Sequence, residues 1–337
     1  FLKNALGMLV LFGFGTELAA QPKETAALLI TLSGVIFIAP FFFLSALGGE
    51  LADKYDKAKI AEYVKLAEIP VALVAAAGFY LHSIPILFVA LFGFGVLGAL
   101  FGPVKYGILP EKLTTEELSS GNALVEGATF LAILLGTIGG GIAVTNTKSP
   151  EIIVGIIVAL AVACWLFAKA IPEKGAAAPD IRINPNPLTS TFALLREQRT
   201  DKRINVGAHI TSWFWLTGVV ALSLLPVLIK DQLGGNENVY IASLSTFVFG
   251  IALGSILAAK VSHHKPNLAL VPLGALLMAG FAFALATVAW FVTPPPAPLG
   301  LLEFAQAKRG LASFGALFGL ALAGGLFIVP SFAAVQS

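Results

Sequence analysis

The sequence predicts an all-α membrane protein with about ten membrane-spanning helices. The chain has 337 residues, of which 57% are hydrophobic and 12% are charged, whereas a soluble globular protein is about 25% charged. Thr25–Gly49 continues for 25 residues and Ile69–Val104 for 36 residues without a charged side chain. Because roughly 20 apolar residues cross the hydrocarbon of a bilayer, runs of this length predict transmembrane helices and exclude a soluble domain.

The positions of the uncharged runs divide the chain into spans. Ile69–Val104 is too long for one crossing and breaks at His82–Pro85, and Pro266–Leu302 ends in the proline-rich tail Pro294–Pro296. The predicted spans cover residues 1–15, 25–48, 59–81, 84–107, 121–144, 151–171, 204–230, 238–260, 267–292 and 311–334. The chain starts with Phe1 inside apolar sequence and stops inside another apolar run. We therefore expect a fragment with a truncated first span, and two more helices beyond Ser337.

The distribution of basic residues predicts which loops are cytoplasmic. If the loop after the second span is cytoplasmic, then 15 of the 21 Lys and Arg residues lie on that side, five lie on the opposite side, and Lys3 lies in the first span. The 15 are Lys54, Lys57, Lys59, Lys65, Lys105, Lys112, Lys169, Lys174, Arg182, Arg196, Arg199, Lys202, Arg203, Lys260 and Lys265. Cytoplasmic loops are enriched in Lys and Arg, so this asymmetry fixes the orientation.

One long polar stretch divides the chain. Residues 1–171 are predicted to form a six-helix N-terminal bundle, residues 172–203 a cytoplasmic linker, and residues 204–337 an incomplete C-terminal bundle. Within the linker, Leu188–Arg199 places Phe192, Leu194 and Leu195 among polar residues. That pattern predicts an amphipathic helix on the membrane surface.

The loop Gly49–Lys59 is the most informative segment of the chain. It joins two long apolar runs and reads G-E-L-A-D-K-Y-D-K-A-K, which resembles the signature between the second and third helices of major facilitator transporters. That resemblance implies a fold of two pseudo-symmetric helix bundles, with ten helices visible of an expected twelve. We expect Gly49 to allow close helix approach and Asp53 to lie against a helix N-terminus. With Lys54 and Lys57, they are the predicted gating residues; the alternative is an ordinary cationic loop.

Several other functions are excluded or unsupported. Cys164 is the only cysteine, so an intrachain disulfide and a multi-thiolate metal site are excluded. Gly93–Gly98 matches the dinucleotide fingerprint G-x-G-x-x-G, but the fingerprint requires a preceding strand and a solvated helix N-terminus. Within a span, these glycines predict close helix packing instead. No basic cluster with interleaved aromatics indicates nucleic acid, and no residue pattern indicates a metal, a cofactor or a catalytic site.

Polar and ionisable residues within spans are costly and are therefore functional candidates. The candidate substrate-binding residues are Lys3, Asn4, Lys105, Tyr106, Asn122, Glu126, His209 and Trp213. Each has a structural alternative: Lys105 can be an interfacial lysine that reaches water, and Trp213 can belong to an aromatic belt. Lys65 and Glu68, three residues apart, are expected to pair on one helix face.

Longer blocks carry a more specific resemblance. Phe1–Leu6, Leu51–Ala58, Phe101–Pro110, Gly121–Gly136 and Pro330–Ser337 resemble the bacterial lysophospholipid transporter family. The likeness is greatest to the form fused to acyltransferase and acyl-carrier-protein synthetase domains. P-x-K-Y-G-I-L-P and N-A-L-x-E are the specific motifs.

The resemblance implies inward movement of lysophospholipid, chiefly lysophosphatidylethanolamine, across the bacterial inner membrane for re-acylation. The implied partners are the substrate, membrane lipids, and a fused or associated acyltransferase with acyl carrier protein. Family members carry an acidic-asparagine pair expected just before Phe1. Stand-alone members also have an Arg in helix seven, where this chain has Val219–Leu222.

The substrate's chemistry assigns provisional roles to the remaining residues. Phe41–Phe43 is expected to form an apolar wall for the acyl chain, Lys105 to meet the phosphate and Glu126 the ammonium of ethanolamine. The alternative function is a proton-coupled exporter of drugs or other small amphipathic solutes, for which Glu126 would be a proton carrier. A membrane-bound acyltransferase is a third possibility, for which these 337 residues hold no catalytic motif.

Overall fold

The computed structural model describes residues 23–81, 83–145, 150–262, 267–293, 295 and 297–336, and helices dominate these ranges. The helices are α1 Lys23–Lys54, α2 Lys57–Tyr80, α3 Ile84–Gly107, α4 Leu109–Lys112, α5 Leu118–Thr145, α6 Pro150–Lys169, α7 Pro187–Gln198, α8 Lys202–Val227, α9 Glu237–Ser262, α10 Leu270–Trp290, α11 Leu301–Gln306 and α12 Lys308–Gln336. A π-helical segment, Leu228–Gln232, continues α8. Within the described ranges, extended pairing is limited to one bridge between Gly235 and Leu299.

The predicted spans correspond to helices wherever the structure is described. Nine of the ten predicted spans have a matching helix, and the span predicted at 84–107 has the same limits as α3. The first predicted span lies outside the described residues, as do Lys3 and Asn4. Seven helices of the described part are long and apolar enough to cross a membrane. Those seven do not include α2, because it carries five charged residues. They also do not include α6, because its apolar segment Gly155–Lys169 is shorter.

The chain forms two compact units, and α5 contributes to both. Unit 1 comprises residues 1–112 and 135–198, and unit 2 comprises residues 113–134 and 199–337. The domain limits predicted at residues 171 and 204 remain a prediction.

Unit 1 is held together by α1 against α3, and by α2 against α3 and α6. A side-chain carbon at Gly95 would lie 2.5 Å from the Phe37 carbonyl oxygen, and one at Gly48 would lie 2.9 Å from the Ala99 carbonyl oxygen. Glycine at these two positions therefore allows α1 and α3 to touch. The close approach predicted for Gly49 was wrong: no described atom lies within 4 Å of a side-chain carbon placed there.

The same principle organises unit 2, in which α9 and α10 pack against α12. A side-chain carbon at Gly254 would lie 2.0 Å from the Leu322 carbonyl oxygen. One at Gly325 would lie 2.5 Å from the Ser255 backbone nitrogen. Small residues at these positions bring helix backbones into contact, which is how helices associate where lipid removes the hydrophobic driving force.

Two further predictions about local structure are confirmed. Lys65 Nζ lies 2.6 Å from Glu68 Oε1 and 4.2 Å from the centre of the Phe101 ring. The linker helix is α7, at Pro187–Gln198. The placement of α7 on the membrane surface remains a prediction.

Candidate functional site

The most deeply buried polar residues of α5 are two of the predicted site residues. Asn122 and Glu126 are both 0% exposed, and they lie one helical turn apart on α5, in unit 2. Burying a carboxylate in an apolar environment costs several kcal/mol unless charge and hydrogen bonds compensate. Glu126 is therefore a candidate for a functional role.

The neighbouring amide of Asn122 is fully engaged by the protein. Its Nδ2 donates to the Leu118 carbonyl oxygen at 2.9 Å and to Gln336 Oε1 at 2.6 Å. Gln336 Nε2 donates back to Asn122 Oδ1 at 3.3 Å. This reciprocal amide pair joins α5 to the end of α12, so Asn122, predicted as a substrate ligand, has a structural partner in this conformation.

Lys105 and Tyr106 lie near the end of α3, in unit 1, and both are half-buried. Lys105 Nζ is 3.3 Å from the Tyr106 hydroxyl and 4.7 Å from the centre of its ring. The phenol thus provides both a hydrogen bond and a cation–π contact to the ammonium. That arrangement orients the ammonium of Lys105.

The two candidates on α8 have different environments. His209 is exposed, and its Nδ1 lies 2.7 Å from the Asn205 carbonyl oxygen, one turn earlier on α8. Trp213 is 62% exposed and lines a cavity of unit 2. Of the two, only Trp213 contributes to the cavity wall.

The sequence did not indicate this cavity of unit 2. It has a volume of about 660 Å³ and is formed by α8, α9, α10 and α12 together with Phe130 of α5. Its lining side chains are apolar apart from the hydroxyl of Thr217 and the indole nitrogen of Trp213. Phe130 stacks on Trp215, with ring centres 6.4 Å apart, and Thr217 donates its hydroxyl to the Trp213 carbonyl oxygen at 3.0 Å.

The cavity changes the interpretation of two sequence features. Val220, Ala221 and Leu222, in the segment that lacks the family's Arg, are part of the lining. The wall predicted from Phe41–Phe43 is not: these residues belong to unit 1, where Phe42 is 59% and Phe43 is 44% exposed. The described cavity of unit 2 is therefore lined by α8, α9, α10 and α12 with Phe130, and not by Phe41–Phe43.

Two of the predicted gating residues, Asp53 and Lys57, belong to an ion cluster in unit 1. Lys57 is only 7% exposed, and its Nζ lies 2.6 Å from Glu111 Oε1 and 3.9 Å from Asp53 Oδ1. Asp53 is exposed and accepts the Ala178 backbone N–H at its carbonyl oxygen, at 2.8 Å. Lys54 Nζ stands 6.0 Å from the centre of the Tyr55 ring. Lys57 is thus the buried member of the group, and Glu111 is its main partner.

Asp56 is a second carboxylate near Asp53, and the sequence did not indicate its role. It caps α2 by accepting the Ala58 N–H at 2.8 Å, and it accepts the backbone N–H groups of Lys174, at 2.7 Å, and Gly175 in the linker. Burial alone would raise the pKa of Asp56, but these hydrogen bonds outweigh it and hold the pKa below its ordinary value of 3.8. Its contribution to stability is therefore present above pH 3.8 and is lost as the pH falls through the lower folded-state pKa.

A third carboxylate, Glu50, binds the middle of the linker. Glu50 Oε2 accepts the Asn184 backbone N–H at 2.9 Å, and Oε1 accepts the Ser190 hydroxyl. Glu50 and Asp56 both lie in the loop segment singled out from the sequence. Their partners are more than 100 residues away, and no local pattern identifies them.

Comparison with known proteins identifies relatives of this chain. A family model described as the Major Facilitator Superfamily matches residues 3–337. The lysophospholipid transporter LplT of Enterobacter sp. (strain 638) is 28% identical over 305 residues, or 90% of this chain and 70% of that protein. LplT of Klebsiella pneumoniae subsp. pneumoniae is 29% identical over the same shares. LplT of Serratia proteamaculans is 29% identical over 89% of this chain and 69% of that protein.

Solved structures show the same fold at low sequence identity. The proton:xylose symporter XylE superposes with a TM-score of 0.66 at 14% identity, covering 99% of this chain and 80% of XylE. The human organic anion transporter MFSD10 superposes with a TM-score of 0.65 at 13% identity, covering 99% of this chain and 88% of that one.

Among the described residues, no group of His, Cys, Asp and Glu is arranged to hold a metal ion.

Proposed function

Because this chain belongs to the Major Facilitator Superfamily, we propose that it transports lysophospholipids across the bacterial inner membrane by alternating access. It is a multi-pass membrane protein, and the relatives that carry the substrate name match about nine-tenths of it. Lysophosphatidylethanolamine is the substrate that the sequence motifs favour. Re-acylation on the cytoplasmic side would consume it, through an acyltransferase that is fused to the chain or associated with it.

The observation that carries this proposal is the apolar cavity of unit 2. A hydrophilic solute needs hydrogen-bonding partners along its path, whereas the walls of this cavity offer almost none. Its volume of about 660 Å³ lies within the roughly 300–1,000 Å³ of ligand pockets. A single acyl chain is apolar, flexible and narrow, so it suits these walls. Each methylene that leaves water there would contribute about 0.8 kcal/mol.

The head group needs the charges that the cavity lacks. Lys105, held by the Tyr106 phenol, supplies a cation for the phosphate. Glu126, 0% exposed, supplies an anion for the ammonium of ethanolamine. Each contact requires its residue to face the transport path at some stage of the cycle. Trp213 would lie along the acyl chain of the bound lipid. Lys3 and Asn4 remain candidates by sequence position alone.

Transport by the purified protein in vesicles tests the proposal. Fluorescent lysophosphatidylethanolamine is added to one side of protein-containing vesicles and of protein-free vesicles, and its protection from an external quencher is followed. We expect faster movement in the protein-containing vesicles and no acceleration for a cationic drug of similar size. Drug movement without lysolipid movement would support the drug-exporter alternative instead.

A further inference from the structure

Arg309, in the first turn of α12, is a half-buried cation whose donors the protein does not fully engage. Its Nη1 donates to the Thr293 carbonyl oxygen at 3.4 Å. Its Nε is buried and has no hydrogen-bond partner among the described residues. The ion pairs found in the same part of the chain do not include Arg309. Because a buried donor of a charged group is costly to leave unsatisfied, this guanidinium suits an anionic ligand.

The start of α12 adds positive potential around this side chain. Lys308 and Arg309 are its first two residues, and its first turn has no acidic residue. The N-terminal end of a helix carries a partial positive charge, which favours anions and disfavours cations. Lys308 is exposed, so water screens its charge, whereas the half-buried Arg309 is screened less. A bound anion would therefore stabilise Arg309 at this position more than Lys308.

The position of Arg309 on α12 narrows the class of anion. Leu317, Leu320 and Gly324 line the apolar cavity of unit 2. They follow Arg309 at i+8, i+11 and i+15, which keeps all four residues on the same side of the helix. Leu317 is about 12 Å further along the axis, at about 1.5 Å per residue. A lysophospholipid carries its phosphate one glycerol away from its acyl ester, so a chain that fills the cavity can place its phosphate toward the start of α12.

We propose that Arg309 binds the phosphodiester of a glycerophospholipid whose acyl chain occupies the cavity of unit 2. A guanidinium can donate two parallel N–H groups to two phosphate oxygens. This inference rests on the proposed function and adds a phosphate contact on the side of the membrane opposite the cytoplasm, whereas the positive-inside rule predicts Lys105 on the cytoplasmic side. Arg309 reads only the phosphate, so ethanolamine-headed and glycerol-headed lysolipids should depend on it equally.

Lipid binding by the purified intact protein in a maltoside detergent, which carries no phosphate, tests this contact. The probes are lysophosphatidylethanolamine, lysophosphatidylglycerol and a monoacylglycerol with the same acyl chain but no phosphate. We expect Arg309→Gln to weaken binding of both lysophospholipids about 10-fold and to leave monoacylglycerol binding within about 2-fold. The matched control is Lys308→Gln, which removes the same charge from the exposed neighbour and should change each affinity by less than about 2-fold. Arg309→Lys, which keeps the charge, should lose less than Arg309→Gln.

Two comparisons separate this inference from the proposed function. If diacyl phosphatidylethanolamine binds as tightly as the lysolipid and with the same dependence on Arg309, the phosphate contact stands and its occupant is a membrane lipid. If lysolipid binding depends on Arg309 but no lysolipid moves across vesicle membranes, the contact again stands and the transport function fails. Unchanged lysophospholipid affinity in a folded Arg309→Gln variant would overturn the contact. An equal loss of monoacylglycerol binding would also overturn it, because the phosphate would then not be what Arg309 recognises.

Discussion

At the residue scale, the buried polar groups differ in how completely the protein engages them. Asn122 exchanges hydrogen bonds with Gln336, and Lys57 pairs with Glu111. Lys105 contacts the Tyr106 phenol through its ring and hydroxyl. The contacts of Asn122 and Lys57 join helices that are distant in sequence, whereas the contact of Lys105 is with its neighbour in sequence.

The proposed head-group contacts predict separable effects on binding. Lys105→Gln should weaken lysolipid binding by about 1–3 kcal/mol, the range for a lost charge-assisted hydrogen bond, or roughly 5- to 150-fold. Lys105→Arg, which keeps the charge, should retain most of the affinity. Glu126→Gln should weaken binding of ethanolamine-headed lipids more than that of glycerol-headed ones. Wild-type affinity in both folded Gln variants, measured by lipid binding to the purified proteins, would return both residues to structural roles.

The buried ion pair makes a second residue-scale prediction. Lys57→Met leaves the Glu111 carboxylate without its 2.6 Å partner, and breaking a buried pair costs about 3–5 kcal/mol. We expect about 3 kcal/mol here, since the Glu111 side chain keeps 19% exposure to water. The matched control is Lys59→Met, which breaks the exposed pair with Glu173 and should change stability little. Thermal unfolding in detergent measures both, and equal midpoints would show that burial of Lys57 has no energetic consequence.

At the element scale, helices could be predicted from the sequence because their signals are local. The charges that bound an uncharged run and the prolines that interrupt it lie on the same helix, so α3 was located to the residue. The short helices α4 and α11 were missed, because four- and six-residue turns have too few positions for a pattern. The sequence predicted helix contact at Gly49, whereas the neighbouring Gly48 makes it, because one sequence cannot show which glycine faces α3.

Two glycines of α12 provide a matched test of helix packing. Gly325→Ala would place a carbon 2.5 Å from the Ser255 backbone nitrogen, so α9 and α12 must separate, at a cost of about 1–3 kcal/mol. Gly315→Ala meets no described atom within 4 Å and should be neutral or stabilise the helix by up to about 1 kcal/mol. The unfolding midpoint in denaturant or on heating should therefore fall for Gly325→Ala. It should rise or stay unchanged for Gly315→Ala. A destabilised Gly315→Ala with an unaffected Gly325→Ala would contradict the α9–α12 contact.

At the scale of the whole molecule, the site is harder to predict than the helices. Glu111 is 54 positions from Lys57, and Gln336 is 214 positions from Asn122. Side chains from five helices line the cavity. Hydropathy cannot distinguish an apolar side chain that faces lipid from one that faces the cavity. The sequence therefore identified Lys57, Asn122 and Trp213 as notable residues, but it could not supply their surroundings.

The cavity predicts how transport depends on acyl chain length. Ala279 lines it and is exposed, so Ala279→Phe should fill part of the space without disturbing a packed core. We expect it to weaken binding of long-chain lysolipids by about 0.8 kcal/mol for each methylene that the ring displaces from the cavity, and to affect short-chain ones much less.

The control is Leu276→Phe, one turn earlier on α10 at a residue that is 72% exposed and outside the cavity lining. Competition among lysolipids of graded chain length measures both variants. An identical chain-length profile for Ala279→Phe and the unmodified protein would mean that the acyl chain binds elsewhere.

The amide pair between Asn122 and Gln336 has a consequence for energetics. Moving one elementary charge across 100 mV changes its energy by about 2.3 kcal/mol, but the two carboxamides carry no net charge and do not titrate. Membrane voltage, proton concentration and ionic strength therefore exert almost no direct force on this contact between α5 and α12. Opening of this contact should proceed at a similar rate in energised and de-energised membranes, unless another charged group moves with it.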